Sequence, residues 1–440
     1  METAYDPLQY LHDLSPIDIP GDVIGQAEIC VLDLLGVAIG GRRTQLSQII
    51  HDHAAEEFRG EVPILLDGRR SSVAGAALAG ATTIDSLDGH DGFNPAKGHA
   101  GCAVLPATLA FAHLAGVDDG AEVLTAITLG YEYGCRLAMA LHGTASDYHT
   151  SGAWASVAVA AIGARLLKLS PDQTRHALGI AEYHGPRSQM MRCIDHPTMV
   201  KDGSGWGAMA GATAVLLAQK GFTGAPSITV EEAPDHWQDL GQRWLIRHQY
   251  FKPYPVCRWA QAPVEAILAL RRAHKTREGE VDHIEVASFH QAVRLAANHP
   301  RTTEEAQYST SFPCAVAMVR GRVEPGDLTG RALSNPKVLR LSRSLIMRED
   351  DAANRAFPQR RMARVQLHLK SGEVLQSDWH APRWEADEPP TRAELRAKFH
   401  ANADPVIGPD RALAIAASID RLATRGLGQL ARHIYQPINS

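Results

Sequence analysis

Two spacings of apolar residues divide the chain. Up to about residue 250 the spacing is helical. Ile24, Ile29, Val31, Leu32, Leu34 and Leu35 predict an apolar helix ending near Gly40–Gly41. Residues 73–87 are rich in Ala and Gly, which suits a buried helix packed closely against others. The pattern predicts further helices over 102–115, 119–142 and 152–168. Ser170-Pro171-Asp172-Gln173 is a helix start, with Ser as N-cap, Pro at the first position and Gln at the third. Residues 204–220 predict a small-residue helix closed by Gly221.

After about residue 258 the spacing changes. A helix at 260–274 leads to VDHIEVASF, where Val281, Ile284, Val286 and Phe289 mix two-residue spacing with a break. That predicts a strand with a bulge. ARVQLHLKSGEVLQSDW alternates strictly at Val365, Leu367 and Leu369, turns at Ser371-Gly372 and runs back, as a β-hairpin does. Residues 303–320 read as one helix, Thr391-x-x-Glu394 as a capping box, and 409–425 as helix again. The expected architecture is α+β multidomain. Residues 1–257 and 396–440 form a large all-helical domain, and 258–395 form a smaller α+β domain.

Against this background the stretch DSLDGHDGFNPAKGHAG, Asp85–Gly101, stands out. Asp88 ends the Ala/Gly helix, and His90, Asp91, Lys97 and His99 follow on a Gly-rich loop. Glycine lets backbone approach a ligand closely. The bland alternative is a solvated surface loop, but the flanking helices are those of a core. An Asp/His/His metal site at His90, Asp91 and His99 is a further alternative that no spacing demands.

Three other stretches carry similar chemistry. Asp147-Tyr148-His149-Thr150-Ser151-Gly152 precedes an apolar helix, and there Thr150 or Ser151 can be a plain cap. Lys201 sits at a helix entrance, where a cation opposes the helix dipole, so dipole stabilisation does not explain it. In Phe251-Lys252-Pro253-Tyr254-Pro255-Val256-Cys257-Arg258-Trp259 two prolines stiffen the backbone that bears Lys252, Tyr254 and Arg258. A fifth stretch, Thr302–Ser309, opens a helix with acids in its first turn, which is a structural role.

Composition narrows the field. At 440 residues the chain suggests two domains, and 45% hydrophobic with 21% charged residues is ordinary for a globular protein. A net charge of −5 gives nucleic acid no bulk attraction. The N-terminus lacks the pattern of a signal peptide. The apolar runs after Gly101 and Ala153 are broken by Pro106 and His113, and by Arg165 and Lys168, so neither reads as a membrane span. Six cysteines without CxxC spacing fit free thiols in a reducing cytoplasm rather than a zinc site. No dinucleotide-binding glycine motif, Walker loop, HExxH or GxSxG is present, which disfavours a nucleotide cofactor or a serine hydrolase.

Taken in order, these stretches resemble the MmgE/PrpD family, which includes 2-methylcitrate dehydratase, cis-aconitate decarboxylase and iminodisuccinate epimerase. The resemblance runs from VLDLLGVAIGG through GFTGAP and KPYPVCRW to RTTEEAQYS. It implies a large all-helical domain with a small α+β domain, a homodimer, a site at the domain interface and no metal or organic cofactor. It points to Asp88, His99, His149, Lys201 and Lys252 as catalytic, with His90, Asp91, Tyr148, Tyr254, Cys257 and Arg258 as substrate-binding candidates around them. The chain departs from the family pattern at His90, Ala100, Ser204, Cys257 and Gln261. It also lacks a tyrosine near Gly143, where the epimerase carries one.

The family's reactions build negative charge next to a carboxylate, which calls for fixed cations and a positioned base. Lys201, Lys252 and Arg258 can supply the cations. His99 and His149 are of the side-chain type that exchanges protons near neutral pH. Asp88 can orient one of these groups or take the proton. The expected function is cofactor-independent acid–base catalysis on a small di- or tricarboxylate, with dehydration first. Epimerisation of an amino dicarboxylate and decarboxylation are alternatives. From other classes come a non-catalytic carboxylate-binding protein and a metal-dependent hydrolase.

Overall fold

A computed structural model describes residues 6–438. The chain forms two compact units. The first holds the described residues through Met190, Asp202–Tyr250 and the chain from Pro390 on; the second holds Met191–Lys201 and Phe251–Pro389.

In chain order the first unit runs through α1 (Pro7–Asp13), α2 (Gly21–Gly41), α3 (Gln45–Glu57), the two-residue strands β1 (Val62–Pro63) and β2 (Arg70–Ser71), and α4 (Val73–Leu87). It continues through α5 (Gly101–Ala115), α6 (Gly120–Thr144), α7 (Gly152–Leu166) and α8 (Pro171–His184). A short helix, α9 (Met190–Asp195), bridges to the second unit, and α10 (Ser204–Gln219) and α11 (Ile228–Glu231) return to the first. The second unit carries α12 (Arg258–His274), β3 (Val281–Ser288), α13 (His290–Val293), α14 (Thr303–Gln307), α15 (Ser311–Arg320), α16 (Pro336–Ser344), β4 (Ile346–Glu349), α17 (Asp351–Ala356), β5 (Ala363–Leu369) and β6 (Val374–Gln376). The closing helices α18 (Arg392–Ile407), α19 (Pro409–Ile419), α20 (Leu422–Arg425) and α21 (Leu427–Ile434) belong to the first unit.

Small residues explain the packing of the first unit. In α4, α7 and α10 Ala and Gly let helix axes approach closely, and α10 packs on both α4 and α7. A Cβ on Gly211 would meet the Ser156 carbonyl, and one on Gly207 the Gly152 carbonyl, so these positions need glycine for contact rather than for backbone angle. Ser170 caps α8 in the expected capping box with Gln173, and Thr391 caps α18 with Glu394. α2 is the helix among the described residues that is long and apolar enough to cross a membrane by length and composition. Most of it is buried, packed against α4, α6 and α18.

In the second unit a mixed sheet runs in the order β4-β3-β5-β6. β3 pairs antiparallel with β5, and the register shifts between Val281 and His283, the break visible in the sequence spacing. β5 and β6 form the expected hairpin, with Gly372 at φ +91 in the turn. Ile284, Val286, Val365 and Leu367 face inward, where α12 and α16 pack against the sheet.

Several expectations differ, among them the helix expected over 409–425, which is two helices, α19 and α20. Residues 191–201 are placed with the large domain by sequence pattern but group with the second unit. Asp195 pairs there with Arg294 at 3.0 Å, and Lys201 with Gln307. The helix expected over 303–320 is two helices. The helix is interrupted at Tyr308–Thr310, where Thr310 N–H bonds to the Leu295 carbonyl and Ser309 Oγ accepts from Phe312 N–H. β4, parallel to β3, is absent from the sequence reading, since four residues with one apolar side chain at each of two adjacent positions show no alternation.

Candidate functional site

The loop after α4 is buried, not solvated. Asp88 ends α4 in the left-handed conformation, φ +54 and ψ +32, which Asp tolerates better than most residues. The loop closes through a bridge between Phe93 and Gly98 and is tied at Gly92 to Tyr250. Gly92 and Gly98 make room for the protein's own side chains. A Cβ on Gly92 would lie 2.5 Å from Tyr250 Oη and 2.7 Å from His99 Nδ1. A Cβ on Gly98 would lie 2.6 Å from Ser151 Oγ.

His99 is half-buried and doubly fixed. Its Nδ1–H donates to the Asp91 carbonyl, which can only accept, so Nε2 carries the lone pair of the neutral ring. Its backbone N–H donates to Ser151 Oγ at 2.9 Å, and Ser151 donates in turn to Asp202. Asp202 N–H reaches Asp85 Oδ2 at 3.2 Å, so one chain of hydrogen bonds joins the loop to the starts of α7 and α10 and the last turn of α4. Ser151 is therefore not the plain cap that its position suggests. It has helical backbone angles and makes no capping bond.

His90 is fully buried with its ring edge-on to that of His99, centroids 4.3 Å apart. Asp91 is fully buried and accepts from Tyr131 Oη. Burial lifts its carboxyl to about 7. His149 repeats the arrangement of His99: Nδ1–H donates to the Asp147 carbonyl at 2.8 Å, leaving Nε2 as the basic nitrogen. Its backbone N–H meets His142 Nε2 at 3.3 Å, and the two imidazoles stack at 6.4 Å. Burial, then the charges of Lys97 and His149, press His142 down to about 4, so it stays neutral. Tyr148 Oη donates to the Lys97 carbonyl, and the Lys97 ammonium lies over the Tyr148 ring at 5.4 Å.

The cations lie in the second unit. Lys201 is buried at φ +48 and donates to Gln307 Oε1 at 2.6 Å. Its ammonium sits 4.6 Å from the centre of the Tyr308 ring. Gln307 also accepts from Cys257 N–H at 3.0 Å, which ties Cys257 to the same cluster. Lys252 is 1% exposed, an extreme burial for a lysine. Arg258 donates to the carbonyls of Phe251 at 2.9 Å and Arg383 at 3.2 Å and pairs with Glu385 at 2.9 Å. Tyr254 Oη donates to Glu265 at 2.9 Å, and Gln261 Nε2 holds the carbonyls of Tyr254 and Val256. Arg258, Tyr254 and Gln261 thus brace the Lys252 segment.

Within each unit the structure gathers the expected residues. Asp88, His90, Asp91 and His99 share the loop, and Tyr148 and His149 adjoin it through Lys97. Sequence reasoning missed Tyr131, His142, Asp202, Gln307 and Tyr308. Asp202 adjoins Lys201 in the sequence, and Gln307 and Tyr308 lie in the Thr302–Ser309 stretch, for which the sequence favours a structural role.

The chain belongs to the MmgE/PrpD family: the N-terminal domain of that family matches residues 8–239 and its C-terminal domain matches 254–424. Its similar curated proteins include the cis-aconitate decarboxylase-like protein oryM of Aspergillus oryzae, 24% identical over 94% of this chain and 93% of that protein. Cis-aconitate decarboxylase of Aspergillus terreus is 25% identical over 70% of each chain. The enzyme of the same name from Mus musculus is 24% identical over 94% of this chain and 89% of its own length.

Proposed function

We propose that this protein is a lyase that acts on a small di- or tricarboxylate by acid–base chemistry of its own side chains, adding or removing water. The observation that carries the reading is the shared geometry of His99 and His149. Each ring has Nδ1–H pinned to a backbone carbonyl and so keeps a basic Nε2 in fixed orientation. In this reading one Nε2 takes the proton from the carbon next to a carboxylate. The electron pair moves into an enolate-like carboxylate, whose charge a fixed cation stabilises, the role for which the sequence offers Lys201 and Lys252. The pair then forms the double bond as hydroxide leaves, protonated to water by the second group. Asp88 orients the acid–base groups. Asp91, Tyr254 and Arg258 are positioning residues.

Decarboxylation is the second reading, favoured by the names of the relatives at 24–25% identity. There the C–C bond to a carboxylate breaks, carbon dioxide leaves, and the same histidines protonate the carbanion. The test is to incubate the protein with a panel of di- and tricarboxylates in deuterium oxide and follow them by proton NMR. Interconversion of an unsaturated acid and its hydrate, with deuterium at the adjacent carbon, supports the first reading. Loss of carbon dioxide supports the second. Binding without turnover or exchange overturns both in favour of a non-catalytic carboxylate-binding protein.

A further inference from the structure

The outer face of the β4-β3-β5-β6 sheet takes no part in this chemistry. On it β3 presents His283 and Glu285, two residues apart and so on one side, and β5 places His368 directly opposite His283. The two imidazoles stack with centroids 4.2 Å apart and 13° between planes. His283 Nε2 is 3.8 Å from Glu285 Oε1, and one ligand atom from each of the three residues lies within 4.8 Å of the other two.

Three surrounding features fit a ligand rather than chance proximity. Asp282 Oδ2 lies 2.9 Å from His283 Nδ1, holding that nitrogen's proton and leaving Nε2 as the donor atom. Arg348 grips Glu285 at 2.7 and 2.9 Å, which fixes the carboxylate over the sheet; it can keep Oε2 while Oε1 turns to an ion. His368 Nε2 is buried and has no hydrogen-bond partner among the described residues. Such a nitrogen is unfavourable unless something satisfies it.

We propose that His283, Glu285 and His368 bind a divalent transition-metal ion, with zinc the best match. Two imidazoles and one carboxylate are a nitrogen–oxygen donor set for a four-coordinate ion, with water completing the shell. Bonds of about 2.0–2.2 Å put ligand atoms roughly 3.4 Å apart. The ion would clamp β3 to β5 beside the bulge at Val281/His283. This site departs from the sequence expectation of no metal and does not rest on the proposed reaction.

The test uses the full chain, stripped with a chelator and titrated with Zn2+ by calorimetry and with Co2+ by visible absorption. Wild type is expected to bind one equivalent, with the intense cobalt bands of a four-coordinate ion, and to gain thermal stability with zinc. His368→Ala and Glu285→Gln should each weaken binding by at least about 10-fold, and Asp282→Asn by about 10-fold through the His283 ring. His433→Ala, on α21, should bind like wild type. Thermal midpoints without metal show whether each variant is folded, and His283→Gln stands in for any that is not. Stoichiometric binding that survives His368→Ala and His283→Gln, or no binding by wild type, overturns the site.

Discussion

Lys398 on the closing helix α18 reaches back to Asp33 on α2: its ammonium lies 2.6 Å from Asp33 Oδ1 and 2.6 Å from the Gly89 carbonyl. The pair is nearly dry, with 10% exposure for the lysine side chain and none for the aspartate. One cation thus fixes the first residue after Asp88 to two helices far apart in sequence. Lys398→Met removes a cation held 2.6 Å from a buried carboxylate and should cost up to about 3–5 kcal/mol in urea unfolding. The double variant with Asp33→Asn should recover much of that loss. A double variant as unstable as the single one would show that packing, not charge, carries the effect.

Ser151 connects the loop to the helix starts. Ser151→Ala removes the acceptor of His99 N–H and a donor to Asp202 in one step. The loss of two hydrogen bonds should destabilise the protein by about 1–3 kcal/mol, read as a lower urea midpoint. Turnover should fall more than stability explains, because His99 loses the hydrogen bond that holds its backbone N–H. Turnover unchanged at a temperature where the variant is fully folded would detach Ser151 from the site.

The elements that the sequence made legible are those held by local rules. The capping boxes at Ser170 and Thr391, the bulge in β3 and the turn at Ser371-Gly372 are written within a few adjacent residues. What stayed hidden depends on distant partners. Tyr131 against Asp91, Asp202 against Ser151, and Gln307 against Lys201 are separated by 40, 51 and 106 residues. No periodicity encodes such pairs. The glycines of the loop were legible as close-approach positions, but what approaches them is set by Tyr250 and Ser151, again from elsewhere in the chain.

Asp91 predicts a pH dependence. Burial lifts its carboxyl to about 7, the Tyr131 hydroxyl opposing and Asp33 adding to the rise; in the unfolded chain it titrates near ~3.9. Between those values the folded protein holds a proton that the unfolded chain has lost. Stability therefore falls as pH rises through that window, then levels above it. Asp91→Asn carries no such proton and can still accept from Tyr131. Its stability relative to wild type should climb from about pH 4 to about pH 7, by on the order of 2–4 kcal/mol. Glu132, also lifted to about 7, is common to both proteins and cancels. Parallel urea-midpoint curves for the two proteins would refute the assignment.

Lys201 and Tyr308 form a pair that separates charge from packing. Lys201→Met keeps the bulk but removes the ammonium that Gln307 and the Tyr308 ring hold. If that ammonium stabilises developing charge on a carboxylate substrate, kcat should drop by about 10²–10³. Tyr308→Phe retains the ring face and should leave the position of the ammonium intact, so any loss there reports the hydroxyl alone. Turnover of Lys201→Met within a few-fold of wild type would remove the lysine from the chemistry.

His149 gives the most direct test of the acid–base reading. Its Nδ1–H is committed to the Asp147 carbonyl, so proton transfer falls to Nε2. His149→Gln offers an amide of similar reach that cannot take up a proton. The expected result is a fall in kcat of about 10²–10⁴ with little change in KM, since the variant removes a proton-transfer group and not a cation for the carboxylates. Exchange of the substrate's α-hydrogen with solvent deuterium should slow by the same factor if His149 is the base. If His149 is instead the acid that protonates the departing hydroxide, exchange should persist while net turnover stops. Full turnover and full exchange in the variant would remove His149 from the reaction.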